Sequence, residues 1–317
     1  MSYLVTGGTG LIGVHTVRLL TDQEEQVVAY NRSPDRKLLE NLMGKEKSSR
    51  VKVVQGDVTD LAQLLHACQE HGVEKILHMG AVLTDACSAN PPLGVRVNCD
   101  GTINVFETAR ILGLKRVVFA SSVAVYGPAE KYGNSRIPND APHDHRSIYA
   151  ACKSLNEACA NHYFSEYGVD CIGIRFPGVY GEGQARGLPN EITEQLFVNP
   201  VLGKPGRVPL GESSINWLYA GDAARAVVMA ARAATTKTRN FTINGNDERS
   251  LAEVAGYVKR MIPEADIALL PGKRLSYGCK LDTTPAREEI GFQPEWTMEK
   301  GVTRCIEFLQ RTYQKKY

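Results

Sequence analysis

The feature that most constrains this chain is Thr6-Gly7-Gly8-Thr9-Gly10-Leu11-Ile12-Gly13, set behind the apolar run Tyr3-Leu4-Val5 and ahead of an amphipathic stretch reaching Leu20. Gly7, Gly10 and Gly13 recur every third residue. The first glycine permits a tight turn, the second lets backbone approach a pyrophosphate, and the third lets helix and strand pack closely. A helix opening at Leu11 and Ile12 offers unpaired N–H groups and a positive dipole end to phosphate. Glycines also serve plain turns, so it is the strand–turn–helix setting that selects a dinucleotide cradle.

Apolar runs and amphipathic stretches then alternate. Val27–Tyr30, Val51–Val54, Lys75–His78, Val117–Ala120 and Cys171–Ile174 read as strands, with a helix over Val95–Leu112. Such alternation implies a parallel sheet covered on both faces, and right-handed crossovers make it a doubly wound α/β sheet of Rossmann type. Beyond Arg175, Gly, Pro and Asn are dense from Pro177 to Gly211, which suggests a smaller, loop-rich region. The division expected is 1–175 for the dinucleotide-binding domain and 176–317 mainly for substrate, with segments returning to the body. Helix and strand signals resume at Ala220–Ala233, Phe241–Ile243, Ser250–Met261 and Met298–Gln310.

Composition excludes several classes. A formal net charge of +2 over 317 residues gives no electrostatic case for a nucleic-acid or membrane partner. No run of about 18 apolar residues is present, so no transmembrane helix is expected. The opening Met1–Thr6 lacks the basic segment of a secretory leader. Eight cysteines occur without a Cys-x-x-Cys pair, which argues against a metal cage and fits reduced thiols in a cytoplasmic protein. No carboxylate–histidine spacing asks for a metal.

The end of the second strand bears on the cofactor. An acidic residue there would hold the adenine ribose hydroxyls of NAD. This chain has Asn31 and Arg32, with Arg36 and Lys37 close behind. Arg32 can pair with a ribose phosphate, so NADP is favoured and NAD remains possible. Surface cations that touch nothing are the competing explanation. After the third strand, Asp57 and Val58 lie where a carboxylate can accept from the adenine amino group; a turn or cap aspartate is the alternative.

Tyr149 and Lys153 form a Tyr-x-x-x-Lys pair, placed on one face if helical. A phenol ionises near pH ~10, too high for a base at neutral pH. A nearby ammonium and a positive nicotinamide ring are expected to favour phenolate. Lys153 can also hold a ribose hydroxyl. Serines at the end of the fifth strand, in Ala120-Ser121-Ser122-Val123, reach the carboxyl edge of the sheet, where a hydroxyl can polarise a carbonyl.

Together these motifs resemble the extended short-chain dehydrogenase/reductase superfamily, in the branch that includes nucleotide-sugar 4-epimerases. The resemblance runs through Gly56–Asp60, Asn98–Val105, Ser121–Gly127, Tyr149–Lys153 and Arg175–Gly181 as well as the glycine loop, with a similar ending over Leu281–Pro294. It implies Ser122 as the catalytic hydroxyl, Tyr149 as acid/base and Lys153 as its partner. It further implies that Met79, Gly80 and Ala81 cover the cofactor, that Asn98 supports the site, and that Phe176 and Pro177 lie beside the nicotinamide. Gly178, Asn190 and Trp217 join Ser122 and Tyr149 as candidate substrate contacts, although for Trp217 a core role is favoured over stacking on a ring. A homodimer is implied by the resemblance alone.

Two departures matter. The epimerases usually have asparagine where this chain has Gly178. They also carry a diphosphate-gripping arginine in the segment matching Gly211–Asp222, which here has none. Arg207 and Arg186 are the candidates to replace it. His143 and His145 precede Tyr149 and are given no role. The leading expectation is therefore an NAD(P)-dependent oxidoreductase interconverting a secondary alcohol and a ketone, on a substrate other than a nucleotide sugar. A nucleotide-sugar epimerase with retained NAD and a non-catalytic dinucleotide sensor are the competitors.

Overall fold

The computed structural model describes residues 1–183, 188–245, 248–272 and 280–314. Its body is a seven-stranded sheet in which every pairing is parallel. The strands are β1 (Ser2–Thr6), β2 (Gln26–Asn31), β3 (Lys52–Gln55), β4 (Lys75–His78), β5 (Arg116–Ser122) and β6 (Cys171–Phe176), joined at one edge by the late strand β10 (Asn240–Thr242). The spatial order places β1 between β2 and β4, so the chain reverses direction of travel across the sheet at that point. Crevices at such switch points are where open α/β sheets bind ligands. Tyr3, Leu4, Val5, Val117, Val118 and Phe119 are fully buried, as strands covered on both faces must be. This is the doubly wound α/β fold expected from the alternation of apolar runs.

Five helices matter for the site: α1 (Leu11–Asp22), α2 (Gly101–Leu112), α3 (Ile148–Tyr167), α4 (Ala220–Arg232) and α5 (Met298–Gln314). A π-helical turn over Arg96–Asp100 leads into α2 and contains Asn98.

The stretch expected to be loop-rich is more ordered than its composition suggested. β7 (Gly178–Tyr180) pairs in parallel with β9 (Ser214–Tyr219), which pairs antiparallel with β11 (Glu248–Ser250). β8 (Gly206–Val208) pairs with β12 (Ile267–Leu269), and Leu188–Val198 is helical. Strands of three residues are too short to display a period, and their partners lie tens of residues away in sequence. Tyr180, Phe197, Trp217, Tyr219, Val258 and Ile306 share one core there, separate from the cores flanking the large sheet. Among the described residues no helix is long and apolar enough to cross a membrane.

Candidate active site

The glycine loop turns sharply at Gly7, whose φ is +64°. A Cβ at Gly7 would lie 2.8 Å from the Gly80 nitrogen, and one at Gly13 would run into the Gly7 carbonyl oxygen. Hence the loops after β1 and β4 touch at the switch point, and only glycine permits it. Gly10 caps α1 without a side chain, donating from its N–H to Gly7 O at 2.8 Å. The first bond into the helix is Val14 N–H to Gly10 O. The N–H groups of Leu11, Ile12 and Gly13 have no backbone acceptor among the described residues. A side-chain-free helix start with three spare donors fits a pyrophosphate.

At the end of β2 the side chain of Asn31 is partly committed: its Oδ1 accepts from Thr9 N–H at 2.9 Å, bracing the glycine loop. Arg32, Arg36 and Lys37 are exposed and form no ion pair among the described residues. Asp57 uses one carboxylate oxygen to accept from both the N–H and the hydroxyl of Thr59 at 2.9 Å, while Asp60 caps the next helix. The turn role weighed for Asp57 is thus present. Val58 is fastened to α2, where Asn104 Nδ2 donates to its carbonyl at 3.0 Å and Gly101 packs against its side chain.

A buried chain of hydrogen bonds supports the loop Met79–Ala81. The Thr102 hydroxyl donates to Asn98 O at 2.7 Å, so it accepts from His78 Nε2 at 3.1 Å. His78 Nδ1 therefore accepts from the Thr6 hydroxyl at 2.6 Å, and Thr6 Oγ1 accepts from Gly80 N–H. Burial, reinforced by the Lys153 charge, holds the His78 imidazole down to about 3, so it is neutral. The Asn98 side chain clasps Val82 through both its N–H and its C=O at 2.8 Å. The π-helical turn carries this asparagine, and such turns re-aim side chains at functional sites.

Tyr149 stands in the first turn of α3, which Ser147 caps by accepting from Ala150 N–H. One turn on, Lys153 is buried and places its Nζ 5.5 Å from the centre of the Tyr149 ring. Ser122, the last residue of β5, lies beside the phenol and favours its ionised form. Its Oγ accepts from Ala124 N–H at 3.2 Å, which leaves the hydroxyl proton to be donated. The electrostatics differ from the sequence expectation. Burial pushes the phenol up to about 12, with Ser122 opposing it, and the ammonium does not bring it below its usual value. Burial also brings Lys153 down to about 8. Lys153 directs one proton to Ala120 O at 2.7 Å, which fixes the amine behind the end of β5.

Sequence reasoning missed Glu157, one further turn along the Tyr149–Lys153 face of α3. Its buried carboxylate accepts from the Ser121 hydroxyl at 2.5 Å and from Arg175 Nε and Nη2 at 2.8 and 2.6 Å. His143 Nε2 lies 3.4 Å away, so that histidine touches this network instead of a free loop surface. Burial alone would raise the Glu157 carboxyl, but Arg175, His143 and Ser121 together bring it down to about 2. One side chain thus bolts α3 to the ends of β5 and β6. The four-residue spacing Tyr149–Lys153–Glu157 was the available signal.

Phe176 faces Ser122 across the sheet, with Pro177 next to it. A Cβ at Gly178 would lie 2.7 Å from Ile215 Cγ2 and 3.1 Å from Asn216 O, so an asparagine has no room without displacing Ile215. Trp217 is buried, donates from Nε1 to Arg249 O at 3.2 Å and packs edge-on against Tyr180. It fills the core, which corrects its inclusion among the substrate contacts. Asn190 falls in the helix Leu188–Thr193, but its side chain, like Arg186, lies outside the described residues. Arg207 is paired with Asp266 at 2.8 Å.

The model of the NAD dependent epimerase/dehydratase family matches residues 3–244. The chain belongs to that family. As a family enzyme it bears out the resemblance to extended short-chain dehydrogenases/reductases. It is 31% identical to UDP-glucose 4-epimerase of Mycolicibacterium smegmatis, across 99% of this chain and 100% of that protein. D-erythronate dehydrogenase of Cupriavidus necator is 30% identical over 72% of this chain and 71% of its own length. The solved structure of a partial consensus L-threonine 3-dehydrogenase has a TM-score of 0.85 at 21% identity, covering 98% of this chain and 100% of that one, a likeness of fold. The family thus spans epimerases and dehydrogenases on one architecture.

Proposed function

We propose that this family enzyme is an NAD(P)-dependent oxidoreductase that interconverts a secondary alcohol and a ketone, with NADP favoured. The observation that carries the reading is the convergence of Ser122, at the end of β5, on the Tyr149 phenol, with the Lys153 amine 5.5 Å from the ring centre. Tyr149 exchanges the proton of the reacting hydroxyl, and Ser122 donates to the reacting oxygen and polarises it. Lys153, anchored on Ala120 O, keeps its remaining protons for a ribose hydroxyl. A nicotinamide bound here would supply the hydride donor or acceptor and, when oxidised, a positive charge that favours phenolate. The glycine loop with Leu11 and Ile12, the Asp57–Val58 turn, the Met79–Ala81 loop, Asn98, Phe176 and Pro177 would hold it. The cations Arg32, Arg36 and Lys37, exposed and without an ion pair among the described residues, support a ribose phosphate. The crowding of Gly178 by Ile215, and the missing arginine in Gly211–Asp222, favour a substrate without a nucleotide diphosphate.

One finding favours a second reading: the 31% identity to a UDP-glucose 4-epimerase holds end to end. The same three side chains would serve an epimerase that keeps its cofactor and returns the hydride to the opposite face. The test is a panel of secondary alcohols, 2-hydroxy acids, ketones and UDP-hexoses with added NADP or NAD. Stoichiometric change in reduced nicotinamide absorbance on an alcohol or ketone supports the oxidoreductase. Interconversion of UDP-hexoses without net absorbance change, with NAD retained through purification, would replace it by the epimerase.

A further inference from the structure

A second buried cluster of ionisable groups lies outside this site. After β7 the chain runs through Gly181-Glu182-Gly183. A Cβ on Gly183 would lie 3.2 Å from Leu11 Cα, and one on Gly181 would lie 2.6 Å from Ala220 Cβ and 3.5 Å from His15 Nε2. The segment therefore lies flat on the first two turns of α1 and the start of α4. It touches Leu11, whose N–H opens the cofactor helix.

Glu182 holds it there. His15 Nε2 donates to the Glu182 carbonyl at 2.7 Å, within the buried face of α1. The Glu182 carboxylate is fully buried; it accepts from the Tyr219 hydroxyl at 2.6 Å and from Arg304 Nε at 2.9 Å. Its Oε2 is also 3.7 Å from His15 Nε2. Burial holds His15 down to about 4, so the imidazole is neutral near neutral pH. Burial opposes ionisation of Glu182, but His15, Tyr219 and Arg304 keep its carboxyl below the usual range. One anion thus joins α1, the end of β9 and α5. A buried ion pair is seldom worth more than an apolar packing of the same shape, so stability alone does not explain a carboxylate here. Ordering a segment before the ligand arrives removes that cost from binding.

We propose that Glu182 is a positioning residue for the dinucleotide site: it pins Gly181–Gly183 onto the cofactor helix, so that cofactor affinity depends on a side chain outside the glycine loop and the Ser122–Tyr149–Lys153 group. The proposal does not depend on which reaction the enzyme catalyses. It is tested by calorimetric titration of NADP and of NAD into the intact protein, with melting temperatures recorded in parallel. Glu182→Ala weakens the better-bound cofactor about tenfold, the size expected for losing a pre-ordered segment. Glu182→Gln can still accept from Arg304 and donate to Tyr219, and restores affinity to within about threefold of the parent. Val258→Ala, a cavity in the core of the small-sheet region, lowers the melting temperature but leaves affinity within about twofold. Should Glu182→Ala not fold, Tyr219→Phe and Arg304→Met each remove one bond to the carboxylate and weaken binding about threefold. Unchanged affinity in all the Glu182, Tyr219 and Arg304 variants that fold overturns the proposal. So does a loss in Val258→Ala equal to that in Glu182→Ala, which would reflect general loosening. A parent protein that binds neither nucleotide would instead remove the dinucleotide site itself.

Discussion

The seven-stranded body and the small-sheet region are built on different terms. In the body, β1, β5 and β6 bury both faces, and each carries its own continuous apolar run. In the small-sheet region, β7, β8, β11 and β12 have three residues each, and β7, β8 and β12 place Tyr180, Val208 and Ile267 in a core shared with Phe197, Trp217 and Val258. The parts proposed for hydride chemistry are mounted on the first kind of structure, at strand ends and on the face of α3. The parts proposed to shape the substrate space belong to the second. A family can thus keep one reaction frame while its substrates diverge, because short strands held by side-chain packing can be re-cut without disturbing the large sheet.

The largest expected effect breaks the chemistry and leaves both regions standing. Tyr149→Phe lowers turnover by about 10²–10⁴-fold, the usual worth of a general acid–base group. Cofactor binding and melting temperature stay near parental values. Turnover within a fewfold of the parent would take Tyr149 out of the mechanism.

A second substitution attacks the frame. Glu157→Gln leaves Arg175 buried without its counter-charge, and costs about 3–5 kcal/mol of stability at neutral pH. Because the Glu157 carboxyl titrates at about 2 in the folded protein, below its ordinary 4.5, its contribution is fully present above the ordinary value. It is lost as the pH falls towards 2. Denaturant unfolding of parent and variant across that interval therefore converges at the acid end. A constant gap would mean that packing, not charge, carries the difference.

Cofactor choice gives a smaller effect. Arg32→Ala weakens NADP by about ten- to a hundredfold, or roughly 1.5–3 kcal/mol, and leaves NAD nearly unchanged. Raised salt narrows the parental preference, since Arg32 is exposed. Tighter NAD binding by the parent would reverse the assignment and give the ribose hydroxyls to Asn31.

The smallest effect sharpens the contrast between the regions. Gly178→Ala places a methyl against Ile215 and costs about 1–3 kcal/mol by overpacking. Ile215→Ala in the same chain recovers most of that loss, while the Ser122–Tyr149 side of the site keeps its pH profile. Failure of the double variant to recover would locate the obstruction in the Asn216 backbone.

What the sequence determined alone is what depends on neighbours along the chain. The glycine spacing dictates the β1–α1 turn, because the close approach of Gly13 to the Gly7 carbonyl tolerates no side chain. Continuous apolar runs dictate buried strands, and their alternation with helices dictates a parallel sheet. The Tyr149–Lys153 spacing is legible because a helix puts both on one face. Tertiary structure alone decided what depends on segments far apart. Trp217 reads as a core residue or, less well, as a ligand platform until β9 closes on Arg249 and Tyr180. The pairing of Glu157 with Ser121 and Arg175 needs three elements to converge, as does that of Glu182 with Tyr219 and Arg304. The ionisation of Tyr149 belongs here too: a sequence shows the nearby lysine, but the desolvation that outweighs it arises only when the chain is folded around the phenol.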